Sequence, residues 1–234
     1  MPFHYFALFQ WLRCCDAPGV RGRNLPGGWT GCLIQPLGTS RQARLCLRTP
    51  VAWKLLGWRS GYPRGRKMNA IERVAAFMHR EALTLVTAES CTAGLIAATL
   101  ADVPGAGALL DCAFVVYSPQ AKMRCLGVSA RTLRSHNLTS EAVAGEMALG
   151  AARRSRANVA ISNTGVTDST DAEIPAGTQC FAWVFKDGAA DASPVIYSET
   201  LRFTGSRNAI RMASAQHALA RMVTYYTEWR AIQR

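Results

Sequence analysis

Nowhere in the 234-residue chain do 18 uncharged apolar residues run together, so no membrane-spanning helix is expected. Metal and redox spacings are missing too. Cys91, Cys112, Cys125 and Cys180 form no C-x-x-C pair, and the adjacent Cys14 and Cys15 match no zinc spacing. His79, His136 and His217 lack an H-x-x-x-H pattern or an accompanying carboxylate cluster, so no metal site and no cofactor are expected. His217 reads as a packed or half-exposed helix side chain. The cysteines read as small buried thiols, which agrees with a reducing compartment, and a cytoplasmic location is expected. Glycine is 19 of 234 residues and apolar residues are 49%, so collagen-like and globally disordered chains are excluded.

Acidic residues are almost absent from the first 67 positions. That segment holds eleven Lys or Arg against Asp16 alone, whereas residues 68–234 hold sixteen basic and fourteen acidic residues. The formal charge of +12 is therefore concentrated in a leader, and the rest of the chain is nearly neutral. The leader also carries nine glycines, six prolines and four tryptophans, with breakers at Pro18-Gly19, Pro26-Gly27-Gly28 and Tyr62-Pro63. It shows no sustained helical or strand period. A secretory signal fits poorly, because the apolar run comes first and is followed by Arg13. Residues 1–67 are thus expected to be a basic leader rather than a folded domain, with the native start at Met68 and one domain over 68–234. Nucleic-acid binding through the leader is the weaker reading, since such arms seldom carry four tryptophans.

From Met68 the pattern becomes regular. Ile71, Val74, Ala75 and Met78 fall at helical spacing and predict a helix over 69–81. Leu83–Thr87 predicts a strand, Thr92–Leu100 a helix, Ala113–Tyr117 a second strand and Gln120–Leu126 a short helix. Ser140 caps a helix through Glu141–Arg154. Strands follow at Val159–Ser162, Thr178–Phe185 and Val195–Phe203, the last two separated by a turn at Lys186-Asp187-Gly188, and a long helix runs from Ser206 to Trp229. Alternating strands and helices ending in a hairpin predict an α/β domain, a three-layer α/β/α sandwich with a mixed, mostly parallel sheet.

Chemistry concentrates where predicted strands end. Ser90 stands between the first strand and its helix, where open N–H groups at Cys91, Thr92, Ala93 and Gly94 suit an oxyanion or a phosphate. By itself this segment fits a plain N-cap equally well. Loops at the carboxyl ends of neighbouring parallel strands share one crevice, which brings Tyr117 and Lys122 toward Ser90. The domain has fourteen Arg but only two Lys, Lys122 and Lys186. A desolvated lysine can lose its proton and act as a base, which arginine cannot. An exposed lysine at a helix start is the bland alternative. Thr164 and Gly165 lie in the loop after the third strand at the same edge, and Arg207 and Arg211 open the last helix, where either can grip an anion.

These segments together resemble the C-terminal domain of the CinA family, the nicotinamide-nucleotide amidohydrolases. The resemblance is carried by Thr87-Ala88-Glu89-Ser90-Cys91-Thr92, Tyr117-Ser118 with Ala121-Lys122, and Leu126-Gly127-Val128. It continues through Val143–Met147, Thr164-Gly165, Pro175-Ala176-Gly177-Thr178 and Phe203-Thr204-Gly205 with Arg207. It spans Met68 to about Tyr226, and the motifs are specific in this order and spacing. The resemblance implies a three-layer domain that works without metal. It implies that Ser90 attacks the carboxamide carbon of nicotinamide mononucleotide (NMN), that neutral Lys122 takes the Ser90 proton, and that Tyr117 relays or positions it. Nicotinate mononucleotide and ammonia would be the products. The partner implied is a small nucleotide; no membrane partner is expected, and a homo-oligomer is.

The sequence departs from the family pattern twice. Ala93 replaces a glycine, and its methyl narrows the approach of a ligand. The family's glycine-rich loop becomes Val166-Thr167-Asp168-Ser169-Thr170-Asp171-Ala172-Glu173, which loses glycines and brings three acids. An acid ~4–8 Å from a ligand phosphate costs about 1 kcal/mol or more where screening is poor. The alternative function is therefore a catalytically silent paralogue that binds a nucleotide-type ligand or acts as an interaction domain.

Overall fold

The computed structural model describes residues 67–169, 172–186 and 194–233. The expected leader lies outside the described residues except for Lys67, as does most of the expected turn at Lys186-Asp187-Gly188. The elements in order are α1 (Ala70–Arg80), β1 (Leu85–Glu89), α2 (Leu95–Ala101) and β2 (Leu110–Val115). A helical turn, α3 (Pro119–Ala121), runs directly into a π-helical turn at Lys122–Leu126. Then come α4 (Ala130–Ser135), α5 (Glu141–Arg153), β3 (Val159–Gly165), β4 (Thr178–Phe185), β5 (Val195–Arg202) and α6 (Arg207–Ile232).

The five strands form one sheet in the order β2-β1-β3-β4-β5. β1 pairs in parallel with both β2 and β3, whereas the β3–β4 and β4–β5 pairs are antiparallel. The sheet is mixed as expected, with its four pairings divided equally between the two senses. Helices cover both faces, which makes the three layers. On one face Leu85, Ile161, Phe181 and Trp183 pack against Met78, Ile96, Leu219 and Met222 from α1, α2 and α6. On the other, Val86, Ala88, Ala160 and Ala182 pack against Val143, Met147 and Ala151 of α5 and against Leu126. Burial on both faces explains why β1, β3 and β4 carry apolar residues at consecutive positions (Leu85-Val86, Val159-Ala160-Ile161, Cys180–Phe185) instead of alternating them with exposed polar ones.

Small residues let the second layer come close. At Gly150 of α5 an added Cβ would stand 2.1 Å from the Leu126 carbonyl oxygen. Only a glycine lets α5 approach the end of the π turn, and that turn begins with Lys122. Arg154 ties the same point down, donating to the Leu126 and Gly150 carbonyls. The carboxyl ends of β1, β2 and β3, the start of β4 and the start of α6 all lie at one edge of the sheet, and this edge carries the predicted site residues.

Candidate active site

β1 ends at Glu89, and Ser90 is held there because its N–H donates to the Asn163 carbonyl at the end of β3 (2.9 Å). The chain then makes a tight turn rather than entering a helix. Ala93 (φ +50°) and Gly94 (φ +94°) are both left-handed, which delays α2 to Leu95 instead of the expected Thr92. Left-handed backbone suits Gly94 and strains Ala93. The Ala93 methyl is exposed, so the departure at this position is a cost in backbone strain at the turn.

Lys122 is the central finding. Its side chain is 1% exposed, and its Nζ lies 2.9 Å from Ser90 Oγ. The same nitrogen donates to the carbonyls of Val116 (2.9 Å) and Tyr117 (3.0 Å). Those two oxygens can only accept, so they fix two N–H bonds and aim the remaining tetrahedral position at Ser90. In the ammonium form that position donates a third N–H to Oγ; in the neutral amine it is the lone pair and accepts the serine proton. Burial lowers the Lys122 pKa from 10.5 to about 8, so the neutral form is accessible near physiological pH.

The structure brings some predicted residues to Ser90 and reassigns others. Tyr117 is reassigned: its main-chain carbonyl serves Lys122, while its side chain is 55% exposed and its hydroxyl accepts from Arg207 at 3.3 Å. A phenol turned toward the last helix does not relay a proton between Ser90 and Lys122. Arg211 is also reassigned. It donates to the carbonyls of Cys91 (3.0 Å) and Thr92 (3.1 Å), so it clamps the serine turn instead of facing a ligand.

Of the four expected open amides, two are already used. The Thr92 N–H donates to Asn163 Oδ1 (3.1 Å) and the Ala93 N–H to the Ser90 carbonyl (3.1 Å). The amides of Cys91 and Gly94 have no acceptor among the described residues. Thr92 is fully buried and its Oγ1 has no hydrogen-bond partner among the described residues. Thr164 donates its hydroxyl to the Leu138 carbonyl (2.9 Å). Gly165 packs so closely on Gln179 that an added Cβ would stand 2.5 Å from the Gln179 amide. Both residues therefore shape the edge through packing and backbone.

Three buried polar residues escaped sequence reasoning. Glu89 is fully buried on the α2 side of β1 and accepts from the Ile96 (3.0 Å) and Ala97 (3.1 Å) amides and from the Thr87 hydroxyl (2.9 Å). It thereby caps α2 from a distance, because Gly94 offers no side chain. Asn163 passes its amide to Gln179 Oε1 (3.0 Å), and Gln179 donates to Cys91 Sγ (3.4 Å) and to the Val166 carbonyl (3.0 Å). This chain links β3, β4 and the serine turn. The available signal was polar residues inside otherwise apolar strands, which in a doubly covered sheet require partners. Burial pushes the Cys91 thiol pKa up. Among the described residues no three His, Cys, Asp or Glu side chains group as a metal site would require. No helix among them is long and apolar enough to cross a membrane.

The family model described as the CinA C-terminal domain matches residues 67–226. A competence-damage inducible protein of Symbiobacterium thermophilum is 39% identical over 158 residues, which take in 66% of this chain and 37% of that protein. The chain thus spans little over a third of the length of such relatives. Nicotinamide-nucleotide amidohydrolase PncC of Enterobacter agglomerans is 38% identical over 148 residues, or 62% of this chain and 87% of that protein. Among solved structures, a CinA superfamily protein of Klebsiella pneumoniae superposes with a TM-score of 0.62 at 34% identity. That superposition covers 69% of this chain and 100% of the other.

Proposed function

The chain belongs to the CinA C-terminal domain family, and on that footing we propose that it hydrolyses the carboxamide of NMN to nicotinate mononucleotide and ammonia. The observation that carries the reading is the buried Lys122 amine directed at Ser90 Oγ at 2.9 Å. The amidohydrolase name of relatives that the chain covers almost entirely supports the substrate.

In the proposed sequence, neutral Lys122 takes the Ser90 proton as Oγ adds to the carboxamide carbon. The oxygen becomes an oxyanion, for which the Cys91 and Gly94 amides are the donors left unengaged among the described residues. Collapse breaks the C–N bond, and the Lys122 ammonium returns the proton to the departing nitrogen, giving ammonia and a nicotinoyl ester of Ser90. Water, deprotonated by the same amine, then attacks the ester; the acyl C–Oγ bond breaks, the Lys122 ammonium returns the proton to Ser90 Oγ, and the carboxylate is released. The Val116 and Tyr117 carbonyls hold the amine in place throughout and stabilise its charged form.

The test is ammonia release from NMN by the full-length protein, with formation of nicotinate mononucleotide followed in parallel. Binding of NMN with no product would leave the chain as a silent paralogue and refute the reading.

A further inference from the structure

Among the described residues, each cation at the Ser90 edge already has an internal partner. Lys122 serves Ser90 and two carbonyls, and Arg211 serves the carbonyls of Cys91 and Thr92. Arg207, at the first position of α6, donates Nη1 to Asp168 Oδ2 (2.6 Å) and to Thr167 Oγ1 (2.7 Å). Its Nη2 donates to the Tyr117 hydroxyl (3.3 Å). One guanidinium therefore joins the loop after β3, the loop after β2 and the start of α6 around the serine. Unlike Lys122, the Arg207–Asp168 pair is open to solvent, with each side chain 52% exposed.

We propose that Asp168 occupies on Arg207 the place a substrate phosphate takes, and so sets how strongly this site prefers a phosphorylated carboxamide over its unphosphorylated nucleoside. The proposal rests on the reading of the site as a nicotinamide-nucleotide amidohydrolase and deepens it by naming what decides the substrate class. A phosphate and a carboxylate compete for the same guanidinium N–H groups. A phosphorylated ligand must displace Asp168 into water or bind beside it, with two like charges close together. Either outcome weakens the phosphorylated ligand relative to the nucleoside, since both share the pyridinium charge and differ in the phosphate. The chain has not lost its phosphate cation; it holds that cation against an internal anion.

The competition is distinct from simple repulsion, because it acts only through Arg207. The test is equilibrium binding to the full-length protein carrying Ser90→Ala, so that turnover does not consume the probes, which are NMN and nicotinamide riboside. Asp168→Asn removes the charge and keeps the shape. It should raise the ratio of NMN affinity to riboside affinity by about fivefold at low salt, and less at high salt, because the pair is exposed to screening. In an Arg207→Gln background the same substitution should leave that ratio unchanged. Equal ratios with and without Asp168 would overturn the proposal. So would an equal gain when Arg207 is already gone, since the acid would then act by repulsion alone. If neither probe binds any variant, the amidohydrolase reading fails and the proposal with it; if both bind with an unaltered ratio, only the proposal fails.

Discussion

Lys122 and Ser90 stand 32 residues apart in sequence, yet Nζ and Oγ meet at 2.9 Å in a buried site. The contact is built from three separate local features. A parallel β1–β2 pair puts both loops at one edge. The π turn that begins at Lys122 is held against α5 at Gly150. The carbonyls of Val116 and Tyr117 then hold the amine in its direction.

The pH dependence follows from the lowered Lys122 pKa. Turnover should rise with pH through about 8, as the amine becomes neutral, and level off above it. Stability should carry the same signature. Between about 8 and 10.5 the unfolded chain holds the Lys122 proton and the folded chain does not, so folding is favoured as pH rises through that window. Below pH 8 both states are protonated and the full cost of burying the charge is present. Urea unfolding of wild type and Lys122→Met across this range checks it: the wild type should gain on the variant from pH 8 to 10.5. A constant difference would contradict the shift.

Ala93→Gly should stabilise the protein. Ala93 holds φ +50° in the serine turn with its methyl exposed, so glycine removes left-handed strain without opening a cavity. A gain of about 0.5–1 kcal/mol is expected after glycine's greater unfolded-state entropy is set against the relief. Thermal melting measures it, and a lower melting temperature would show that the turn is unstrained.

Gly150→Ala should damage both stability and turnover. The added Cβ meets the Leu126 carbonyl oxygen at 2.1 Å, which forces α5 and the π turn apart. A loss of about 2–4 kcal/mol is expected, together with a lower kcat from a displaced Lys122. Calorimetry and steady-state kinetics on the same preparation test the coupling; a stability loss with unchanged kcat would separate the two.

Glu89→Gln probes the buried carboxylate that caps α2. Glutamine keeps the shape but loses the charge facing the Ile96 and Ala97 amides. The expected cost is about 1–2 kcal/mol. A neutral outcome in chemical denaturation would mean the helix end does not depend on that charge.

Much of this was legible in the sequence, for identifiable reasons. β4 was read at its observed limits, Thr178–Phe185, because both its faces are buried and its apolar run is unbroken from Cys180 to Phe185. β2 was read about three residues late. As an edge strand it alternates between half-buried and exposed positions, and Asp111 interrupts its apolar signal. α4 was missed because none of its six residues is buried, so it has no apolar stripe. The start of α2 was placed early, since nothing in the letter Ala announces a positive φ at Ala93. The rule that neighbouring parallel strands share a crevice anticipated the meeting of Lys122 with Ser90, whereas their chemical roles were implied only by the family resemblance. The roles of Asn163, Gln179 and Arg211 were not, because each acts on main-chain or side-chain atoms far away in sequence. The Tyr117 side chain was misjudged because its carbonyl does the work near Lys122.

The most direct test of the account is the rate of ammonia and nicotinate mononucleotide formation from NMN by the full-length wild type, Ser90→Ala and Lys122→Arg. The account predicts turnover by the wild type. Each variant should lose about a thousandfold or more, with unchanged far-ultraviolet circular dichroism, since one lacks the nucleophile and the other cannot give up a proton. Wild-type turnover that survives either substitution would contradict the Ser90–Lys122 mechanism.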